Sequence, residues 1–98
     1  MSEEVTHIFA RLQGPACDEA SSVAVLADLR KAVWLEPLTD DQKWLSLHLI
    51  LNTLVTGRVN HRVIAKLNVM LKQKLALLPI HYHTVLQNVN FWCQQKLL

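Results

Sequence analysis

Apolar residues recur at helical spacing through nearly the whole of this 98-residue chain, and short polar, glycine or proline signals divide the pattern into segments. The first segment places four apolar side chains on one helical face, at Val5, Ile8, Phe9 and Leu12. Gly14-Pro15 ends that segment. The pattern as a whole predicts five helices, over about residues 2–14, 17–35, 39–57, 60–78 and 80–98.

The third predicted helix has the clearest start and the most apolar body. Residues 39–42 form a capping box, in which the Thr39 hydroxyl accepts from the backbone N–H of Gln42 and the Gln42 side chain reaches back. From Trp44 to Val55, apolar side chains point to nearly every side of the helix. Because a helix that is apolar on every side is buried on every side, we expect this helix to be the centre of the fold. The run is too short to span a bilayer, which needs ~20 residues.

The composition fits a single domain, residues 1–98, with apolar surface left over. Two glycines and three prolines are too few for the turns of an all-β fold. The sequence therefore predicts an all-α, compact five-helix bundle or orthogonal helical array around a central buried helix. Apolar residues make up 51% of the chain and charged residues only 18%, against a usual ~25%. A small domain cannot bury all of this apolar surface, so we expect an interface with a second copy or with another protein.

Cysteine usage and the N-terminal residues favour a cytoplasmic protein. Cys17 and Cys93 are too few for a disulfide framework. The chain begins with the acidic pair Glu3 and Glu4, and no basic segment followed by an apolar one appears there. We therefore expect no secretory signal.

Charge is divided unevenly along the chain. All eight Asp and Glu residues lie in the first 41 positions with three of the ten cations, whereas residues 42–98 hold seven cations and no carboxylate. Five of these cations lie in or just before the fourth predicted helix, and four of the five form its candidate basic face: Arg58, Arg62, Lys66 and Lys72. A solvated amphipathic helix usually mixes Glu with Lys at i,i+4. The basic face therefore predicts an acidic protein partner, with nucleic-acid phosphates or an ordinary solvated surface as the alternatives.

Residues 38–67 also fit a helix-turn-helix, which is the basis of an alternative function. Asn60 and Arg62 would open the recognition helix, where side chains of this kind read base edges. The segment resembles the helix-turn-helix of the tryptophan repressor, in which a Leu-Thr start also precedes a helix, a glycine turn and an arginine. The resemblance covers less than a third of the chain and needs a two-residue gap. It implies a nucleic-acid-binding regulator that uses residues 57–74.

The last predicted helix offers a second candidate surface. No charged side chain occurs from residue 80 to residue 95. We expect Phe91 to point away from the apolar stripe of this helix, among amides that include Gln87 and Gln94. Depleted charge and an exposed aromatic ring are typical of protein interfaces. These three residues therefore join the predicted partner-binding set.

The sequence gives little support for catalysis or for metal binding. Cys93 has no carboxylate nearby in the sequence, and nucleophilic catalysis needs a base and an orienting acid. His81 and His83 would diverge by ~200° on a helix and could not bind one ion together. His48 is expected to be a buried imidazole of the core with its hydrogen bonds satisfied. We therefore predict a non-catalytic protein–protein interaction module, such as an adaptor, chaperone-like subunit or regulator, with no cofactor, metal, membrane or small-molecule partner.

Overall fold

The computed structural model describes residues 2–57 and 61–77, and these form four α-helices with no β-strand among them. The helices are α1 (Ser2–Gln13), α2 (Glu19–Trp34), α3 (Asp40–Thr56) and α4 (Arg62–Leu77). The all-α prediction is confirmed for this part of the chain. The predicted fifth helix, residues 80–98, lies outside the described residues.

Local capping interactions explain where α2 and α3 begin. Asp18 caps α2, because its Oδ1 accepts from the Ser21 N–H at 2.7 Å, so α2 starts two residues after the predicted Cys17. Thr39 caps α3 through the predicted capping box: Gln42 N–H donates to Thr39 Oγ1 at 3.3 Å, and Thr39 N–H donates to Gln42 Oε1 at 2.9 Å. Each such cap contributes about 1 kcal/mol to helix stability.

Gly57, the last residue of the third predicted segment, is the C-cap of α3. Its N–H donates to Thr53 O at 3.1 Å. Its φ of −85° lies outside the left-handed region, so the position does not require glycine for its backbone angles. A Cβ added at Gly57 would lie 3.2 Å from Thr53 O. The close approach to that carbonyl is therefore what favours glycine here.

A single apolar cluster joins all four helices. Its fully buried members are Val5, Leu12, Leu29, Val33, Ile50, Leu51, Leu54 and Ile64. Burying a side chain of this size contributes roughly 1.5–3 kcal/mol. The predicted apolar stripe of α1 is buried in full. On α4, Ile64, Leu71 and Leu75 are buried, whereas Val63 and Leu67 are only half-buried.

Two cross-helix contacts give the relative directions of α2 and α4. Glu19, at the start of α2, accepts from the N–H of Arg62, at the start of α4. Near the ends of the same helices, Arg30 and Lys74 both lie over the ring of Trp44. Helices α2 and α4 therefore run in the same direction, and α3, which begins beside Trp44, runs opposite to both.

The prediction that α3 is buried on every side needs correction. Helix α3 packs against each of the other three described helices and carries seven buried residues. Asn52, Thr53 and Thr56 are nevertheless exposed, and Trp44 is half-buried. Helix α2 also contacts all three of the others. A domain this small has too few neighbouring helices to enclose one of them completely. No helix among residues 2–57 and 61–77 combines the length and the apolar character needed to cross a membrane.

Candidate protein-binding groove

An open groove of about 770 Å³ lies between the parallel helices α2 and α4, where α3 contributes to its base. Its buried base is formed by Leu26, Leu47 and Leu71. Its rim includes Val23 and Met70, whose side chains are 56% and 63% exposed. Large apolar side chains this exposed on both walls of one groove indicate a surface that binds another apolar surface.

Two tryptophans form one end of the groove. The rings of Trp34, at the end of α2, and Trp44, at the start of α3, meet edge to face with centroids 4.7 Å apart and planes at 75°. The loop between α2 and α3 brings them together, and Lys43 closes that loop by donating from Nζ to Trp34 O at 2.9 Å. A bulky, well-positioned aromatic pair of this kind is typical of the sites that contribute most to protein–protein affinity.

Cations lie over this tryptophan pair. Arg30 Cζ is 5.4 Å from the centroid of each ring. Lys74 Nζ is 4.3 Å from the centroid of Trp44. Contacts of this kind stabilise the arrangement by ~0.5–1 kcal/mol each at exposed sites. They hold two positive charges, one from α2 and one from α4, at the same end of the groove.

The electrostatic character of the groove is positive. Arg30, Lys31 and Lys66 all line it, and among the described lining residues none is Asp or Glu. Arg11, which is paired with Asp28 at 3.7 Å on an exposed surface, is not part of the lining. An apolar base with a cationic rim complements a ligand that combines apolar and acidic groups.

The predicted basic face of α4 is divided between different surfaces. Lys66 lines the groove. Arg62 and Lys72 are exposed but do not line it. The remaining predicted partner-binding residues, Arg58, Gln87, Phe91 and Gln94, lie outside the described residues.

Carboxylates surround the start of α4, where the helix-turn-helix hypothesis places base-reading side chains. Glu19 Oε1 accepts from Arg62 N–H at 3.2 Å. His61 Nε2 lies 3.1 Å from Cys17 O. The pKa of Asp18 is below its usual value, chiefly because of the Ser21 backbone N–H, with His61 as a smaller cause. Negative charge near this helix end opposes the approach of a phosphate.

A polar contact between α3 and α4 lies within the apolar interior. His48 and Asn68 are both buried, which confirms the predicted burial of His48 but not the predicted hydrogen bonding of its whole imidazole. Burial lowers the pKa of His48 and the positive charge of Lys72 lowers it further, while the Asn68 side chain opposes both effects. His48 Nδ1 and Asn68 Oδ1 make no hydrogen bond. In the described part of the chain, no group of three or more His, Cys, Asp or Glu side chains could hold a metal ion.

Most of the groove residues were not singled out from the sequence. Arg30, Lys31 and Lys74 entered the sequence analysis only within the count of ten cations, and Trp44 only as part of the apolar third predicted helix. One local signal existed: Arg30 and Trp34 are four residues apart on α2, so their side chains share a helical face. No spacing in the sequence indicates that Trp44 and Lys74, which belong to other helices, lie close to Arg30 and Trp34.

Comparison with protein families, with curated proteins and with solved structures found nothing that matches this chain.

Proposed function

We propose that this protein is a non-catalytic interaction module that binds an acidic, partly apolar segment of a partner protein in the groove between α2 and α4. The observation that carries the proposal is the combination of two features in one place. Exposed apolar side chains line both walls, and Arg30, Lys31 and Lys66 line the same groove with no Asp or Glu among its described lining residues.

The proposal assigns affinity and specificity to different parts of the groove. Covering Val23, Met70 and the tryptophan pair would remove apolar surface from water, at ~25 cal/mol per Å². The cations would select acidic partners and speed association, with a dependence on salt. Net affinity comes mainly from the apolar contacts, because exposed ion pairs contribute only ~0.2–1 kcal/mol each.

The alternative of a nucleic-acid-binding regulator has less support from the same structure. A helix-turn-helix reader needs the first turn of its second helix free to approach phosphates and bases. Here the backbone N–H of Arg62 is already bonded to the Glu19 carboxylate, and Asp18 lies close by. The groove, in contrast, carries positive charge together with apolar surface, which suits a protein segment better than a phosphate backbone.

Adjacent residues on α4 provide a matched test. Met70 is 63% exposed and lines the groove, whereas Val69 is 55% exposed and does not. Met70→Gln and Val69→Gln make similar changes at similar exposure, so both should fold like the wild type. Partners are captured from a lysate of the source organism, with and without nuclease, and are identified by mass spectrometry.

We expect wild type and Val69→Gln to capture the same acidic protein in the presence of nuclease, and Met70→Gln to lose it. Loss of capture on nuclease treatment would favour the nucleic-acid function instead. Equal capture by both variants would show that the groove is not the binding surface. Light scattering of the purified protein tests whether the groove binds a second copy of the chain instead. If it does, Met70→Gln should disrupt the self-association and Val69→Gln should not.

A further inference from the structure

We propose that the groove binds a single amphipathic α-helix whose carboxylates are gathered at one end of its apolar stripe, the end that lies on Trp34 and Trp44. This inference rests on the function proposed above and adds the form of the partner segment and its orientation.

The dimensions of the groove fit a short helix. Its α2 wall runs from Val23 to Trp34, which spans ~16 Å at 1.5 Å per residue, or about three helical turns. The α4 wall runs parallel to it, and the base between them is made of leucines. A helix laid along such a channel contacts it through apolar residues at i, i+3 or i+4, and i+7. About 11 residues of a partner helix would fill the length.

Two cations from different helices meet at one end of the groove. Arg30 and Lys31 lie near the end of α2, and Lys74 lies near the end of α4. Because the two helices run in the same direction, Arg30 and Lys74 meet over the ring of Trp44. The opposite end is flanked by Val23 and Val63. Lys66 lies toward that opposite end, three residues after Val63 and ~12 Å from Lys74 along the helix axis.

This polarity predicts where a partner's carboxylates lie. Placed at the tryptophan end, they are close to Arg30 and Lys74, which lie over Trp44. Placed at the opposite end, they lie near apolar side chains and closer to Glu19, at the start of α2. The difference in Coulomb energy between these placements orients the bound helix.

The test uses two synthetic amphipathic peptides of about 15 residues, each with one leucine stripe and the same three glutamates. In the clustered peptide the glutamates occupy one terminal turn, and in the distributed peptide they are spread one to a turn. Binding to the full chain is measured by titration at low and at moderate salt. The background is Trp92→Phe, so that Trp34 and Trp44 are the remaining tryptophans of the three.

We expect the clustered peptide to bind about ten-fold more tightly at low salt, a gain within the range of two exposed ion pairs. The preference should shrink as salt rises. The double change Arg30→Gln and Lys74→Gln should remove the preference, whereas Lys72→Gln, an exposed α4 cation outside the groove, should leave it. A fluorescence quencher at the glutamate end should quench tryptophan emission more strongly than one at the other end.

Three results would overturn the inference. Equal binding of both peptides, abolished by Met70→Gln, would leave the groove as the binding surface but refute the polarity. Failure of both peptides to bind, with self-association that Met70→Gln disrupts, would assign the groove to a second copy of the chain. If either peptide bound only to a variant that carries Val85→Asp and Val89→Asp, the groove would be assigned as a binding site for residues 80–95 of the same chain. The lysate capture described above tests the proposed function separately.

Discussion

Replacing Leu51 with alanine tests how far the stability of this domain depends on α3. The Leu51 side chain is fully buried within the apolar cluster that joins all four described helices. Its truncation to alanine removes three carbon atoms and introduces no polar group. Alanine favours the helical backbone at least as well as leucine does. The matched control is Leu77→Ala, the same chemical change at the last residue of α4, where the side chain is 85% exposed.

The expected cost follows from the burial of Leu51. Three buried carbons carry ~0.8 kcal/mol each in transfer free energy, or about 2.4 kcal/mol. Incomplete collapse around the truncated side chain adds roughly 1–2 kcal/mol at ~24 cal/mol per Å³ of residual cavity. The loss of roughly 3–4 kcal/mol compares with a total of ~5–15 kcal/mol for a chain of this length. The melting temperature should therefore fall by roughly 12–30 °C.

Thermal unfolding followed by circular dichroism, together with urea titration, measures both variants. Leu77→Ala should stay within ~0.5 kcal/mol of wild type, because an exposed leucine loses little when truncated. If Leu51→Ala melted within a few degrees of wild type while keeping the same urea dependence, the cluster around α3 would not be what holds the domain together.

The remaining predictions concern the cap, the buried histidine and the basic residues. Thr39→Ala should destabilise the fold by ~1 kcal/mol in denaturant titration, because it leaves the N–H of Gln42 without its acceptor; an unchanged midpoint would contradict this. The lowered pKa of His48 means that the unfolded chain binds the proton more readily, so stability should be complete above about pH 6.5 and decline below it toward the folded pKa. His48→Gln should flatten that decline in melting curves taken across this window, and an identical decline in the variant would refute the assignment. Lys66→Gln should weaken capture of an acidic partner more than Lys72→Gln does, with both melting like wild type, and equal effects would count against the groove.

Much of the fold was predictable because helices are stabilised by local interactions. The capping box at Thr39 and the C-cap at Gly57 involve residues within four positions of each other, and hydrogen bonds over that range can be read from sequence. The start of α2 was predicted at Cys17 because the Asp18 side chain was assigned to the first turn, whereas it is the cap itself. The burial of α3 was overestimated, because an all-round apolar pattern gives no count of the neighbouring helices.

The candidate site was predictable only in part, and Lys66 shows where the prediction ended. Helical spacing correctly placed Lys66 away from the buried stripe of α4, but it grouped Lys66 with Lys72, which lies outside the groove. Spacing gives the direction of a side chain relative to its own helix axis. It does not give the position of the neighbouring helix. That position decides whether two residues of one polar face, such as Lys66 and Lys72, both line the groove.

The sequence by itself determined the segments of the four described helices, the two caps of α3, the apolar residues available for a core and the separation of acidic from basic residues along the chain, since each depends on residue type and short-range spacing. Only the tertiary structure decided that Arg30, Trp34, Trp44 and Lys74 meet at one end of an apolar groove. These residues come from three helices, and their meeting depends on the parallel course of α2 and α4 and on the loop that returns α3 between them. Packing of whole helices sets those relations, because the free energy of burying apolar surface is shared among all the contacts and is not encoded at any one position.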